Sequence, residues 1–179
     1  MIWESYPWKE ELHRIGDRLE KKLRQRRWTD RTDANLEKDV FVACYAIRKL
    51  IEAQKLTKSV LSCRVECTRA PLIEGRQVAL HNWHKLDELY DLQREEKTHL
   101  VLRYLCNQFI HSYVFCPVFG ENGLLQSVAV ASDRERQNCV YIVSVVDLVE
   151  LLRRVGNDEP CESHAVWDEE LGDYRVTNQ

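Results

Sequence analysis

The chain has 179 residues, 44% of them hydrophobic and 31% charged, with a net charge of −3 and a pI near 6.1. This suffices for one globular domain with a substantial core and is too short to favour two. The charge balance excludes a global basic field, so any nucleic-acid contact has to rest on a local patch.

Residues 8–27 carry Trp8, Leu12, Ile15, Leu19 and Leu23 at steps of three or four, which predicts an amphipathic helix. It runs into Arg24-Gln-Arg26-Arg27-Trp28 and then a polar break in which Asp30, Thr32 and Asp33 are suitable N-caps. A second helix is predicted over 34–54, with Leu36, Val40, Ala43, Ile47 and Leu50 as its buried stripe. Residues 59–68 alternate with period two, as a half-buried strand does. Residues 71–77 read as loop and 83–92 as a short helix. A third helix is predicted from Thr98 or His99 to about His111.

From Tyr113 onward the pattern is that of sheet. Residues 113–119 and 124–131 flank the hairpin turn Gly120-Glu-Asn-Gly123, and 140–145 form a further strand after the polar turn 133–138. A short helix is predicted over 147–155, stopped by Gly156. The expected fold is therefore α+β, a helical bundle with an attached antiparallel sheet of three to four strands. Residues 1–156 form the single domain, and residues 157–179 are expected as an acidic, loosely held C-terminal tail, partly docked through Trp167 and Tyr174.

No apolar stretch approaches the roughly 20 residues that span a bilayer, and Met1-Ile-Trp-Glu-Ser lacks a basic-then-apolar export pattern. A cytoplasmic protein with no membrane partner is expected. The seven cysteines are odd in number and sit mostly in apolar periodic segments, so they are read as reduced thiols. Cys63, Cys67, His81 and His84 are four soft ligands within 22 residues, but their spacings depart from those of zinc sites, and neither a metal nor a cofactor is expected.

The third helix carries the candidate site. On a helix Arg103, Asn107 and His111 share one face, with Leu102, Leu105 and Phe109 opposite. A guanidinium, an amide and an imidazole in semi-apolar company suit phosphate binding and proton transfer. Asn107-Gln-Phe-Ile-His111-Ser-Tyr113 is similar to the signature of HEPN-type proteins: Arg-Asn, three residues, His, then one residue and Tyr, at the end of a helix. Asn107, His111 and Tyr113 match at the family's spacing, and the family's arginine falls at Cys106. Tyr45-Ala-Ile-Arg-Lys-Leu-Ile-Glu resembles a bundle helix of that family.

The resemblance implies RNA binding or metal-independent RNA cleavage, in a bacterial stress or defence setting. His111 would act as general acid or base and Asn107 would orient it or bind phosphate, with Arg103 the nearest cation on the same helix. It also implies a homodimer or another protein partner, through the face of helix 98–111. The alternative is a non-catalytic interaction or dimerisation module. Arg24, Arg26, Arg27 and Trp28 form a second candidate, a basic cluster with an aromatic that suits phosphate contact and base stacking, although cations also suit a helix C-terminus. Arg48 and Glu52 form an i, i+4 pair on the second helix, and the turn Asp133-Arg-Glu-Arg136 reads as charged surface.

Overall fold

The computed structural model describes residues 2–170 and 172–178. α1 (Tyr6–Lys22) carries Pro7 in its first turn and buries Leu12, Ile15 and Leu19. It stops five residues short of the predicted end. The Arg24–Arg27 stretch has no apolar residue to bury at the next turn, and the chain folds back so that Trp28 Nε1 donates to Gln25 O at 3.0 Å. α2 (Asp30–Glu52) begins earlier than the periodicity suggested. Its cap is Thr29, whose hydroxyl accepts from Thr32 N at 3.4 Å while Thr32 Oγ1 accepts from Thr29 N at 2.7 Å.

Two segments depart from the sequence reading in kind. Residues 59–62 are not strand: α3 (Lys58–Leu61) is a single turn capped by Thr57, and β1 (Arg64–Pro71) follows it. Thr57 is itself held by Asp158, which accepts from its N and Oγ1 at 2.8 and 2.7 Å. A partner that distant in the chain leaves no local signal. Residues 83–92 are α-helical only at α4 (Leu86–Leu89), with a 3-10 turn beginning at Leu92, and β2 (Glu96–Val101) occupies the first part of the predicted third helix. There Val65 pairs with Leu100 and Cys67 with Thr98, so a strand partner overrides the helical reading of 98–101. The helix proper, α5 (Leu102–Ile110), has nine residues.

β3 (Ser112–Phe119), β4 (Leu125–Ser132) and β5 (Cys139–Ser144) follow, then α6 (Val145–Gly156), β6 (Ser163–Asp168) and β7 (Asp173–Asn178). The fold is α+β. Its main sheet has five antiparallel strands in the order β2-β1-β5-β4-β3, one more than the upper expectation because Glu96–Val101 is strand.

α5 and α6 lie on one face of this sheet, with α2 packed on α5 and α1 on α6. The main core fills this side, from Leu12 and Ile47 through Phe109 and Leu152 to Val128 and Val130. The other face is covered by the segment 72–94, which sets Val78, Leu89 and Tyr90 against Ala70, Ala129 and Val140.

β6 and β7 form a separate two-stranded hairpin where a loose tail was expected, with Trp167 and Tyr174 in edge contact at 5.2 Å across it. Its anchor is Gln54, in left-handed conformation (φ 55°) just past α2. Gln54 Oε1 accepts from Val176 N at 2.7 Å and its carbonyl accepts from the buried Asn178 Nδ2 at 2.6 Å. No helix among the described residues is long and apolar enough to cross a membrane.

Candidate functional site

α5 is short because both its ends are fixed by strands: Val101 ends β2 and Ser112 begins β3. Leu102, Leu105 and Phe109 are fully buried, as the periodicity predicts, and Gln108 is 2% exposed. The opposite edge of the helix faces a cleft of about 450 Å³. Tyr104, Asn107, Gln108 and His111 form one wall, and the turn Ser132–Glu135 between β4 and β5 forms the other.

Two bonds fix the walls relative to each other. Ser132 N donates to Gln108 Oε1 at 3.0 Å, and Asp133 N donates to His111 O, also at 3.0 Å. Both tie the last turn of α5 to the start of the turn, so the cleft has a defined width and floor.

His111 closes α5 as its C-cap, and its side chain is exposed in the cleft. Asn107, one turn back, is half-buried; Arg48 on α2 donates through Nη1 to its Oδ1. Arg48 Nη2 also donates to Glu52 at 3.0 Å, and the arginine side chain is only 18% exposed. Lys49 and then Arg48 hold the Glu52 carboxyl below its usual range by hydrogen bonding. Arg48 thus sets the Asn107 amide from behind without lining the cleft, and the guanidinium on the cleft wall is that of Arg134. Arg103 is exposed on α5 and is not part of the cleft wall.

Cys106, where the resemblance places an arginine, is fully buried. It lies against Cys44 of α2, whose thiol is pushed well up, first by a hydrogen bond to Cys106 and then by burial. The seam between α2 and α5 thus carries two layers, thiol on thiol in the core and guanidinium on amide at the edge.

Tyr113 does not join His111. A register irregularity in β3 between Ser112 and Val114 turns it to the opposite sheet face, where its ring lies 3.7 Å from the Arg136 guanidinium. Arg136 in turn donates to Asp133 Oδ1 at 2.9 Å and to Val78 O at 2.6 Å. Tyr113 therefore acts on the cleft from behind, by holding the turn that forms its far wall.

The basic cluster lies elsewhere. Arg24, Arg26 and Arg27 are exposed, while the half-buried Trp28 packs edge-on against Phe119 at 5.0 Å with Lys22 Nζ 5.9 Å from its ring. Phe119 ends β3 and Ser112 begins it, so roughly 23 Å of strand separates this cluster from the cleft. Cys63 and Cys67 are buried in the core on the helical side of the sheet, whereas His81 and His84 are exposed in the segment that covers the opposite face. The fold does not gather these four.

Sequence reasoning missed Gln108 and the turn 132–135. Gln108 is a polar residue in an otherwise apolar row with Leu105 and Phe109, a local hint that it has a buried partner. The turn carried no such signal, because what distinguishes it is its position against α5.

On the second wall Glu135 is half-buried and accepts from Cys139 Sγ at 3.7 Å. Tyr104 Oη lies 3.4 Å from Tyr141 Oη, and burial pushes both phenols up. The arrangement offers an uncovered imidazole, two amides, and charges of both signs around one opening. No family model matches the chain, and no curated protein or solved structure matches it.

Proposed function

We propose that the chain binds single-stranded RNA in the cleft between α5 and the 132–135 turn, and that His111 transfers a proton there in metal-independent cleavage. The observation that carries this reading is the environment of His111. It is exposed in a formed cleft, its ring has no hydrogen-bond partner among the described residues, and Arg134 stands on the opposite wall. An imidazole kept for structure would be covered and bonded.

In the reaction the ribose 2′-hydroxyl attacks the adjacent phosphorus, the bond to the 5′-oxygen breaks, and a proton moves off one oxygen and onto the other. His111 exchanges one of these protons. Arg134 faces the phosphate charge from the rim. Asn107, held by Arg48, is a fixed donor one helical turn from His111.

The resemblance to HEPN proteins supports the same chemistry through Asn107 and His111, with Arg134 on the cleft wall as the cation in place of the one that the motif would put at Cys106. The α5 side that the sequence offered to a protein partner is already packed inside the chain. The test is cleavage of unstructured RNA in the presence of a chelator, with His111→Ala beside the wild type. A loss of about 100-fold or more in rate is expected. Equal rates for the two proteins would remove His111 from the chemistry.

A further inference from the structure

An in-line displacement at phosphorus sets the entering 2′-oxygen and the leaving 5′-oxygen on opposite sides of the phosphate. The group that takes a proton and the group that gives one therefore have to reach it from opposite sides. His111 lies on one wall of the cleft, and the far wall carries two carboxylates, Asp133 and Glu135.

Asp133 is already committed, to the Arg136 guanidinium at 2.9 Å. Glu135 is half-buried and has no cationic partner among the described residues. Its carboxylate is held by neutral donors instead: Cys139 Sγ at 3.7 Å and the Tyr104 hydroxyl, which Tyr141 Oη in turn approaches at 3.4 Å. A carboxylate has roughly four acceptor positions, so two donors orient it and leave room for a third. Glu135 N donates to Ser132 O at 3.0 Å and Asp133 N to His111 O, so both groups spring from one tight turn and the helix end bonded to it. The floor between them presents donors. Asn107 Oδ1 accepts from Arg48 and Gln108 Oε1 from Ser132 N, which leaves both amides an N–H for the non-bridging phosphate oxygens.

We infer that Glu135 is the general base of the cleft, taking the 2′-hydroxyl proton while His111 gives one to the 5′-oxygen. This inference rests on the RNA-cleavage reading above. A carboxylate accepts unless it is protonated, whereas imidazole works in either direction, and this decides the two roles. The bond from the 2′-oxygen to phosphorus forms as the bond to the 5′-oxygen breaks, giving a 2′,3′-cyclic phosphate and a 5′-hydroxyl. Water returns the proton from Glu135 to His111, and nothing is oxidised or reduced.

The experiment is single-turnover cleavage by the full chain, in chelator, of an oligouridylate that is 2′-O-methylated except at one linkage. That linkage is built with either oxygen or sulfur at the 5′ position. Sulfur leaves without a proton, so it spares the need for an acid and not for a base. With oxygen, Glu135→Gln and His111→Ala are each expected to lose about 100-fold or more. With sulfur, His111→Ala returns to within about threefold of the wild type while Glu135→Gln stays about 100-fold down. Fluorescence anisotropy with the fully 2′-O-methylated strand separates chemistry from folding. Glu135→Gln removes a negative charge facing the phosphate and is expected to bind at least as tightly as the wild type. Wild-type rates for Glu135→Gln, its rescue by sulfur, or its loss of binding overturns the inference and leaves the role of His111 to its own test. A wild type that cleaves neither substrate overturns the inference and the RNA-cleavage reading together.

Discussion

Replacing Arg48 by methionine keeps most of the aliphatic stem within α2 and removes the guanidinium. Two favourable contacts disappear. The charge-assisted bond to Asn107 Oδ1 contributes about 1.5–3 kcal/mol. The bond to Glu52, whose side chain is 40% exposed, is screened by solvent and adds little. One unfavourable term disappears as well, because Arg48 Nε is sealed without a partner among the described residues, at a cost on the order of 1 kcal/mol. The net loss is therefore about 1 kcal/mol, and a Tm lower by about 2–4 °C for a chain of this size.

The informative quantity is the coupling. In a urea-unfolding cycle with Asn107→Ala, the two substitutions share about 1.5 kcal/mol, since either one alone already removes the bond. A coupling below about 0.5 kcal/mol would refute the account of a guanidinium that fixes the Asn107 amide, and with it the fixed polarity of the cleft floor.

Cys106→Arg, the change that would restore the family's motif in sequence, is expected to disrupt the fold without raising activity. The site is fully buried against Cys44, and an unpaired charge there costs several kcal/mol. A cooperatively folded variant with higher RNA-cleaving activity would show that position 106 reaches the cleft. Thiol labelling follows from burial: of seven free cysteines only Cys161 is exposed, and burial holds Cys67 up to about 11 and Cys116 up to about 12. One equivalent of a thiolate-directed reagent is expected to react at pH 8 in the native protein and seven in denaturant. Rapid labelling of two or more in the native state would contradict the packing described.

What was legible in the sequence was whatever is written at short range. The stripes of α1, α2 and α6 and the alternation of β3, β4 and β5 all came within a few residues of their observed bounds, because burial imposes period 3.6 or period 2 directly. β2 was misread since Thr98, His99 and Leu100 extend the apolar run of α5 backward, and only pairing with β1 decides their conformation. The site divides in the same way. Asn107 and His111 are one helical turn apart and were visible as a pair. Arg48 is legible by its spacing to Glu52 but not by its place at Asn107, because that partner lies on another helix. Tyr113 follows His111 by only two residues, yet one irregular step in β3 sets it on the other face of the sheet. The turn 132–135 became part of a site only through its bonds to Gln108 and His111.

The strand order has a consequence for how the chain is made. β5 lies at the middle of the sheet and joins β1 to β4, while α1 rests on α6, the last helix of the core. The apolar stripes of α1 and α2 thus leave the ribosome long before the surfaces that cover them. Arg69 of β1 waits about seventy residues for its partner Tyr141, roughly 4–14 s of synthesis. Until β5 emerges, no part of the main sheet can close around a finished core. Such a chain is expected to acquire its structure in one late event, and to depend meanwhile on whatever shields nascent hydrophobic helices.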